Sequence, residues 1–376
     1  MEKLAVYIHW PYCARICPYC DFNVYKRKKD ETLLPAILAD LKHWREISGP
    51  REITSIHFGG GTPSLMTPQQ IEAVIDCVNS LWGLGDVEIA LEANPHEMNA
   101  KNWRGYRAAG LNRMSLGVQS FHNGALSFLG RDHDGTAARA ALDMALEIFP
   151  NVSADLIFGW AGQSQADLTA DLSVLLQAGV QHISTYQLTI EDGTAFAKAE
   201  TRGQKRAVDP DMSADFYDDV RDTLKSSGFH HYEVSNFAKP NYQSQHNLAY
   251  WRGWDYVGVG PGAHGRLTID GKRHATIAQL TPPAYTKAVR ENKMGIESQE
   301  ILSRKDMAAE YLLMGLRINE GISIDRFNML SDMKLNSEEI SFFINSGLLS
   351  QNSDRLRATD QGRLVLNAVT ERLLLS

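Results

Sequence analysis

Cysteine is scarce, with four thiols in 376 residues. That is too few for the disulfide framework of a small secreted fold, and in a reducing compartment clustered thiols read as metal ligands. Long apolar runs are missing too: nothing approaches the roughly 20 residues a spanning helix needs, so any membrane contact is expected to be peripheral. Basic excess is absent, since 38 Lys and Arg stand against 45 Asp and Glu for a net charge of -7. A generic nucleic-acid surface is therefore not expected. No block of like charge, low-complexity segment or repeat beyond strand-helix units occurs. At the start, "MEKLAVYIHW" shows no basic region followed by an apolar stretch and a cleavage site. The expectation is no signal peptide and a cytoplasmic protein, peripheral at the inner membrane face at most.

What is present is ordinary globular material, 43% hydrophobic and 22% charged, enough for one large domain and a smaller one. From residue 4 to about 190, short runs rich in β-branched and aromatic residues alternate with amphipathic segments. The runs are "LAVYIHW", "ITSIHFGGG", "VEIALEANP", "NRMSLGVQS", "VSADLIFG" and "ISTYQLTI". Such units predict parallel strands joined by right-handed helical crossovers. Thr67, Pro68 and Gln70 predict a capped helix start. Six units fall short of a closed eightfold barrel, so the fold class is α/β with a partial (β/α)6 barrel. Beyond Leu280 the pattern is mostly helical, with a short hairpin around Arg355 to Thr359, which predicts a winged-helix-like C-terminal domain. That tail is not basic, so packing or docking suits it better than DNA binding. The predicted domains are 1–240 for the barrel, 241–280 for a connecting segment and 281–376 for the helical domain.

Three of the four cysteines crowd into "HWPYCARICPYCDFN" as Cys13, Cys17 and Cys20, a CxxxCxxC spacing at the end of the first strand. Three soft thiolates suit zinc or an iron-sulfur cluster. Zinc normally closes its site with a fourth protein ligand, and none is obvious, His9 being better read as part of the strand. A 4Fe-4S cluster held by three cysteines leaves one iron open. Cys77, off the centre of the stripe Ile71, Val74, Ile75, Val78 and Trp82, reads as a half-buried structural thiol. Chemistry-bearing residues recur at strand ends: "GGGTPS" after the second, "EANP" after the third, Gln119 after the fourth, and Asp155 within the fifth. In parallel α/β folds that edge binds ligands.

The CxxxCxxC pattern with Tyr19 before the last cysteine, followed by "GGGTPS", resembles the radical S-adenosylmethionine (SAM) family. There three cysteines hold a 4Fe-4S cluster, and the amino and carboxylate groups of SAM's methionine chelate the open iron. In that family the glycines let backbone approach the cofactor. The finer resemblance is to the coproporphyrinogen-dehydrogenase-like branch and covers nearly the full chain. It is carried by "YIHWPYC", "HFGGGTPS", "EANP", "GLNRMSLGVQSF", "LGRDH", "DLIFG", "YQLTIEDGT" and "GVGPGAHG" in that order. It implies that Tyr7, Gly60 and Glu92 contact the SAM on the cluster. Tyr19, Gly61, Thr62, Gln119, Arg131 and Asp155 match positions lining a second SAM site in the dehydrogenases.

Two departures separate this chain from those dehydrogenases. Phe22 stands where their CxxxCxxCxC pattern has a fourth cysteine, and only six residues precede Tyr7, against a long extension in that family. In addition, "HNLAYW", His246 to Trp251, is similar to the HNxxYW motif of HemW-type proteins. That resemblance implies a haem chaperone that binds haem as cargo and delivers it to respiratory haem proteins at the membrane, with an electron donor as a further partner. Homodimerisation is left open. His246 would be an axial ligand, and Tyr250 and Trp251 flat apolar surface for the macrocycle. In a helix His246 and Tyr250 would share a face. Read without the family, His246 and Asn247 simply tie a loop to the barrel by hydrogen bonds. His57, His230, His231 and His264 compete as haem ligands. The alternative functions are an oxygen-independent coproporphyrinogen III dehydrogenase and, further off, a zinc-stapled binding module. Finally, "DLIFGWAGQ" replaces the branch's usual Leu-Pro by Trp160 and Ala161, which predicts a looser turn after the fifth strand.

Overall fold

The computed structural model describes residues 2–26, 30–331 and 334–375. Its frame is a twelve-stranded mixed sheet. In chain order the strands are β1 (Lys3–Trp10), β2 (Glu52–Gly60), β3 (Glu88–Ala93), β4 (Arg113–Gln119), β5 (Asn151–Phe158) and β6 (His182–Gln187). They continue as β7 (His230–Glu233), β8 (Asn236–Ala238), β9 (Asp255–Val259), β10 (His264–Ile269), β11 (Lys272–Ala278) and β12 (Ile296–Ile301). The spatial order is β12-β11-β10-β9-β1-β2-β3-β4-β5-β6-β8-β7. From β1 to β6 every neighbouring pair is parallel, which is the partial (β/α)6 barrel. Residues that read irregularly as sequence extend it. β9 pairs parallel with β1, and β10 to β12 follow as an antiparallel meander.

Helices cover the outer face because their apolar stripes match it. The helix Pro68–Trp82 buries Ile71, Val74, Ile75 and Val78, while Thr67 and Gln70 cap each other's backbone with Pro68 in the first turn, as its sequence predicts. Each such side chain contributes about 1.5–3 kcal/mol on full burial. Cys77 lies on the flank of this helix, half-buried against the core, with its Sγ facing the Leu38 carbonyl at 3.9 Å.

The turn after β5 carries a restraint of another kind. Ala161 donates its N–H to the Arg206 carbonyl at 3.0 Å, a bond that proline could not make, and Trp160 is 7% exposed. Trp160 packs with Ile157, Leu188 and Phe196 against Tyr19. The two replacements therefore exchange a stiff ring for a backbone bond and a buried indole that buttresses the cysteine loop.

A second core centred on Leu312, Ile322, Phe327, Phe343, Leu356 and Val369 marks the C-terminal domain. Among the described residues, five helices between Arg304 and Leu375 surround a small sheet of Ile322–Ser323, Arg355–Ala358 and Leu349–Asn352, with the last two forming a hairpin. This is a winged-helix-like arrangement. The domain is fastened to the barrel by Arg363, which reaches His231 at 3.0 Å, and by Asn319, whose N–H donates to the Tyr232 carbonyl at 3.1 Å. No helix among the described residues is long and apolar enough to cross a membrane.

Candidate functional site

The C-terminal ends of β1 to β6 surround a cavity of about 430 Å³. The cysteine loop after β1 forms one wall and is held on three sides. Gly61 and Thr62 donate N–H groups to the carbonyls of Trp10 and Tyr12 at 2.8 and 2.9 Å. Tyr25 donates to Pro11 at 2.7 Å, and Phe196 donates to Pro18 at 3.0 Å. The glycines after β2 serve this packing first: a Cβ on Gly61 would sit 2.7 Å from the Tyr12 carbonyl oxygen, and one on Gly60, at φ +104°, would enter the His9 ring at 2.5 Å. The expected close approach of backbone to cofactor thus coexists with an equally close approach of strand end to strand end.

Cys13, Cys17, Cys20, Tyr19, Gly60, Gly61, Thr62, Glu92, Gln119, Arg131 and Asp155 all line this cavity. Arg131 places one guanidinium nitrogen 3.2 Å from the Cys17 sulfur and 3.3 Å from the Tyr19 hydroxyl. Its other terminal nitrogen donates to Asn94 Oδ1 and the Gly117 carbonyl, both at 3.2 Å. Glu92 accepts from the Gly60 N–H at 3.3 Å and bonds His57 Nε2 at 3.0 Å. Asp155 accepts the Ser115 hydroxyl at 3.2 Å on both oxygens. Burial, helped by the charge of Glu92, raises the Asp155 carboxyl to about 6 against the opposing pull of Ser184, Ser115 and Arg113. Gln119 ends β4 at φ +66°, in the left-handed region and at a break in the strand register. A non-glycine residue held there costs about 1 kcal/mol or more, which points to a position fixed for a purpose.

The resemblance implies a 4Fe-4S cluster and SAM here, and the donor set fits them. Buried polar atoms without partners include Gln119 Oε1 and Arg131 Nε, an acceptor and a donor on side chains lining the cavity. Among the described residues no three His, Cys, Asp or Glu side chains are grouped to hold one metal ion. A zinc ion with bonds of about 2.3 Å would draw thiolates to about 3.8 Å from one another. A cluster gives each thiolate its own iron and tolerates wider spacing. Burial, with the neighbouring sulfurs adding, pushes the Cys13 thiol up and the Cys20 thiol to about 11. A metal bound here would have to displace the proton of each thiol.

Tyr7 and His246 lie elsewhere. Tyr7 lines a neighbouring cavity, its hydroxyl 3.1 Å from His9 Nδ1 and its ring stacked on His57. His246 is on a helix, Gln245–Trp251, and does share a face with Tyr250. It is 1% exposed, stacked on His57 at 4.7 Å, with Nδ1 bonded to Ser55 at 2.8 Å and Nε2 to the Tyr250 hydroxyl at 2.8 Å. Its backbone N–H donates to Glu88 at 3.1 Å. In this conformation neither ring nitrogen is free for iron, and ligation would require breaking one of these bonds. The sequence reading missed Asn94 and Asp132 as members of the cysteine site. Asn94 Nδ2 donates to Asp132 at 3.1 Å, which fixes the amide that steers Arg131. Both stand inside "EANP" and "LGRDH", so the signal was present. Ser115, which the sequence reading also left out, stands in the same way inside "GLNRMSLGVQSF".

The neighbouring cavity, about 560 Å³, lies at the seam with the C-terminal domain. It shares Asp21, Phe22 and Gly60 with the cysteine cavity. Its walls include Tyr250, Trp251 and Tyr256 from the barrel side, and Met307, Tyr311 and Met314 from the helix Arg304–Gly315.

Comparison with known proteins follows the same division. Residues 7–175 match the radical SAM superfamily model, and residues 302–365 match the HemN C-terminal domain model. In overall shape the chain resembles coproporphyrinogen III oxidase (HemN) of Escherichia coli, described as a radical SAM enzyme, with a TM-score of 0.82. That match has 21% identity and covers 98% of this chain and 89% of the other, a likeness of fold. It is 38% identical to the mitochondrial radical S-adenosyl methionine domain-containing protein 1 of Danio rerio, over 88% of this chain and 76% of that protein. It is 35% identical to the heme chaperone HemW of Mycobacterium tuberculosis, over 99% of this chain and 95% of the relative. The heme chaperone HemW of Escherichia coli K12 is 34% identical, over 100% of this chain and 99% of the relative. With such relatives along its whole length, the chain belongs to the HemW branch of the radical SAM superfamily.

Proposed function

We propose that this chain binds haem and hands it to respiratory haem proteins at the membrane, using a SAM-liganded 4Fe-4S cluster served by an electron donor. The observation that carries the reading is the seam cavity. It is walled by the Tyr250 and Trp251 of "HNLAYW", is large enough for a small-molecule cofactor, and abuts the cysteine site through Phe22. A flat macrocycle is matched by aromatic and thioether walls. Cavities at domain interfaces also open by relative domain movement, which suits cargo that must be released.

When bound, the cluster would supply one-electron chemistry beside the SAM pocket. This chain's residues do the holding. Cys13, Cys17 and Cys20 would hold the iron, and Glu92 and Gly60 would contact the SAM. The Arg131 guanidinium, fixed by Asn94, offers a cation to a carboxylate, while Asp155 and Gln119 accept from hydroxyl or ammonium groups.

The test is to purify the protein anaerobically and run haem and coproporphyrinogen assays side by side. Haem binding, no conversion of coproporphyrinogen with SAM and reductant, and haem transfer to a respiratory apoprotein are the expected results. Conversion to protoporphyrinogen would replace this function with the dehydrogenase.

A further inference from the structure

We propose that His264 is the iron ligand of haem in the seam cavity and that Arg326 pairs with one of its propionate carboxylates. The inference rests on the haem-binding reading and adds the residues that perform it.

The first observation is a contrast between histidines. Of those that line the seam cavity, His9 has Nδ1 engaged by Tyr7 at 3.1 Å and Nε2 facing the Asn23 carbonyl at 3.0 Å. His246, behind the wall, is bonded at both nitrogens. His264 also lines the cavity, is exposed, and no hydrogen bond or ion pair engages its ring among the described residues. Its placement is fixed by the turn "GVGPGAHG" between β9 and β10. Gly260 sits at φ +110° and Gly262 at φ +79°. A Cβ on Gly262 would strike the Asn23 side chain at 2.3 Å, and one on Gly260 the His9 carbonyl oxygen at 2.3 Å. The turn is thus seated on β1 and the segment after the cysteines, and it delivers a free imidazole at the start of β10.

The second observation concerns charge. Three arginines line the cavity. Arg266 is paired with Glu310 at 2.7 Å and Arg273 with Asp255 at 2.9 Å. Arg326 meets no carboxylate among the described residues. It donates to the carbonyls of Arg252 and Gly253 at 3.0 and 3.4 Å and lies over the Tyr311 ring at 4.5 Å. It is a held, uncompensated cation beside an apolar cavity. A ligand with a planar apolar body, a metal that takes imidazole and pendant carboxylates satisfies all three features at once. Binding forms one nitrogen-iron bond from the neutral imidazole, with water leaving the ferric iron and no change of oxidation state.

The experiment titrates the cluster-containing full chain with ferric haem and with iron-free protoporphyrin, reading the Soret band and affinity. His264→Ala is expected to shift the haem Soret band and weaken haem about tenfold or more, to leave protoporphyrin binding as in wild type, and to regain the spectrum with imidazole added. Arg326→Gln is expected to weaken both tetrapyrroles about fivefold, with no further loss against the dimethyl ester, because a charge-assisted hydrogen bond is removed. His264 is exposed, so its truncation opens no core void, and unchanged cluster iron and circular dichroism verify the fold. A wild-type spectrum and affinity in His264→Ala would overturn the ligand assignment while leaving haem binding intact. Unchanged affinity in Arg326→Gln would overturn the propionate contact. A wild-type chain that binds no haem would instead remove the haem reading itself.

Discussion

The cysteine cavity and the seam cavity meet at Asp21, Phe22 and Gly60, yet they draw on different parts of the chain. The first is assembled from strand ends, where a parallel sheet points its chemistry at one edge. Its residues are short-range neighbours of strands whose register is set by buried cores, so they hold their places before any ligand arrives. The second is assembled from Tyr7 near the start, the β9 to β11 meander, and helices reaching Leu330. It exists only when two separately cored domains are docked. One site is therefore expected to be rigid and to keep its ligand, and the other to be adjustable and able to release it. That division suits a permanent cluster beside a transient cargo.

The largest effect that would break or sustain this contrast is loss of the cluster. Cys17→Ala takes away one of the three proposed iron ligands at the rigid site, and iron and acid-labile sulfide should fall to background. Cys77→Ala, on the flank of a helix away from the site, should keep wild-type iron and sulfide. Its half-buried thiol makes only a weak contact to Leu38, so any stability loss should be within about 1 kcal/mol. Retention of iron in Cys17→Ala, or its loss in Cys77→Ala, would reassign the ligands.

The same contrast governs what could be read in advance. Strand-end motifs are contiguous, so the cysteines, glycines, Glu92, Gln119 and Asp155 could be placed at one mouth from the strand pattern, whereas Arg131, which follows the helix Asn123–Phe128, came only with the family resemblance. Arg326 and Met314 carry no local signature, because what brings them together is the docking of a domain whose pattern speaks only of its own core. His246 is instructive in the other direction. Its motif was legible, and so was the face it would share with Tyr250 in a helix, but the helix itself and its burial against Ser55 and His57 depend on how the segment enters the barrel, which no spacing reveals. Trp160 and Ala161 show a local rule overridden: proline's absence suggested slack, whereas the Arg206 carbonyl supplied a partner for the freed N–H.

A second test probes the cost of keeping the cysteine cavity polar. Asp155 has its carboxyl raised from 3.8 to about 6, mainly by burial, so the folded ligand-free chain holds this proton more tightly than the unfolded chain. Its contribution to stability is fully present below the unfolded value and is lost as pH rises through about 6. At 1.36 kcal/mol per unit the loss is at most about 3 kcal/mol. Asp155→Asn should therefore be more stable than wild type at pH 7 and gain little at pH 4, while binding SAM more weakly because a carboxylate acceptor is gone. Urea midpoints of both proteins across that range isolate Asp155 from Glu92 and Arg113, which remain in each. A stability difference that does not vary with pH would refute the burial effect.

The smallest effect belongs to Phe22, an aromatic side chain that lines both cavities. It is 62% exposed, an uncommon position for a large aromatic, and it follows the cysteines directly enough to sense either ligand. Because so little of it is buried, Phe22→Ala should change folding stability by no more than about 0.5 kcal/mol. Its ring is a wall for a macrocycle in the seam cavity but supplies no donor to the cluster. Haem affinity should therefore drop about three- to fivefold, the range of one aromatic contact, with cluster iron unchanged. Phe22→Trp, which keeps an aromatic face, should restore haem affinity. If Phe22→Ala instead lowers iron and leaves haem binding as it was, the shared wall belongs functionally to the cysteine site. The seam cavity would then have to be bounded without it.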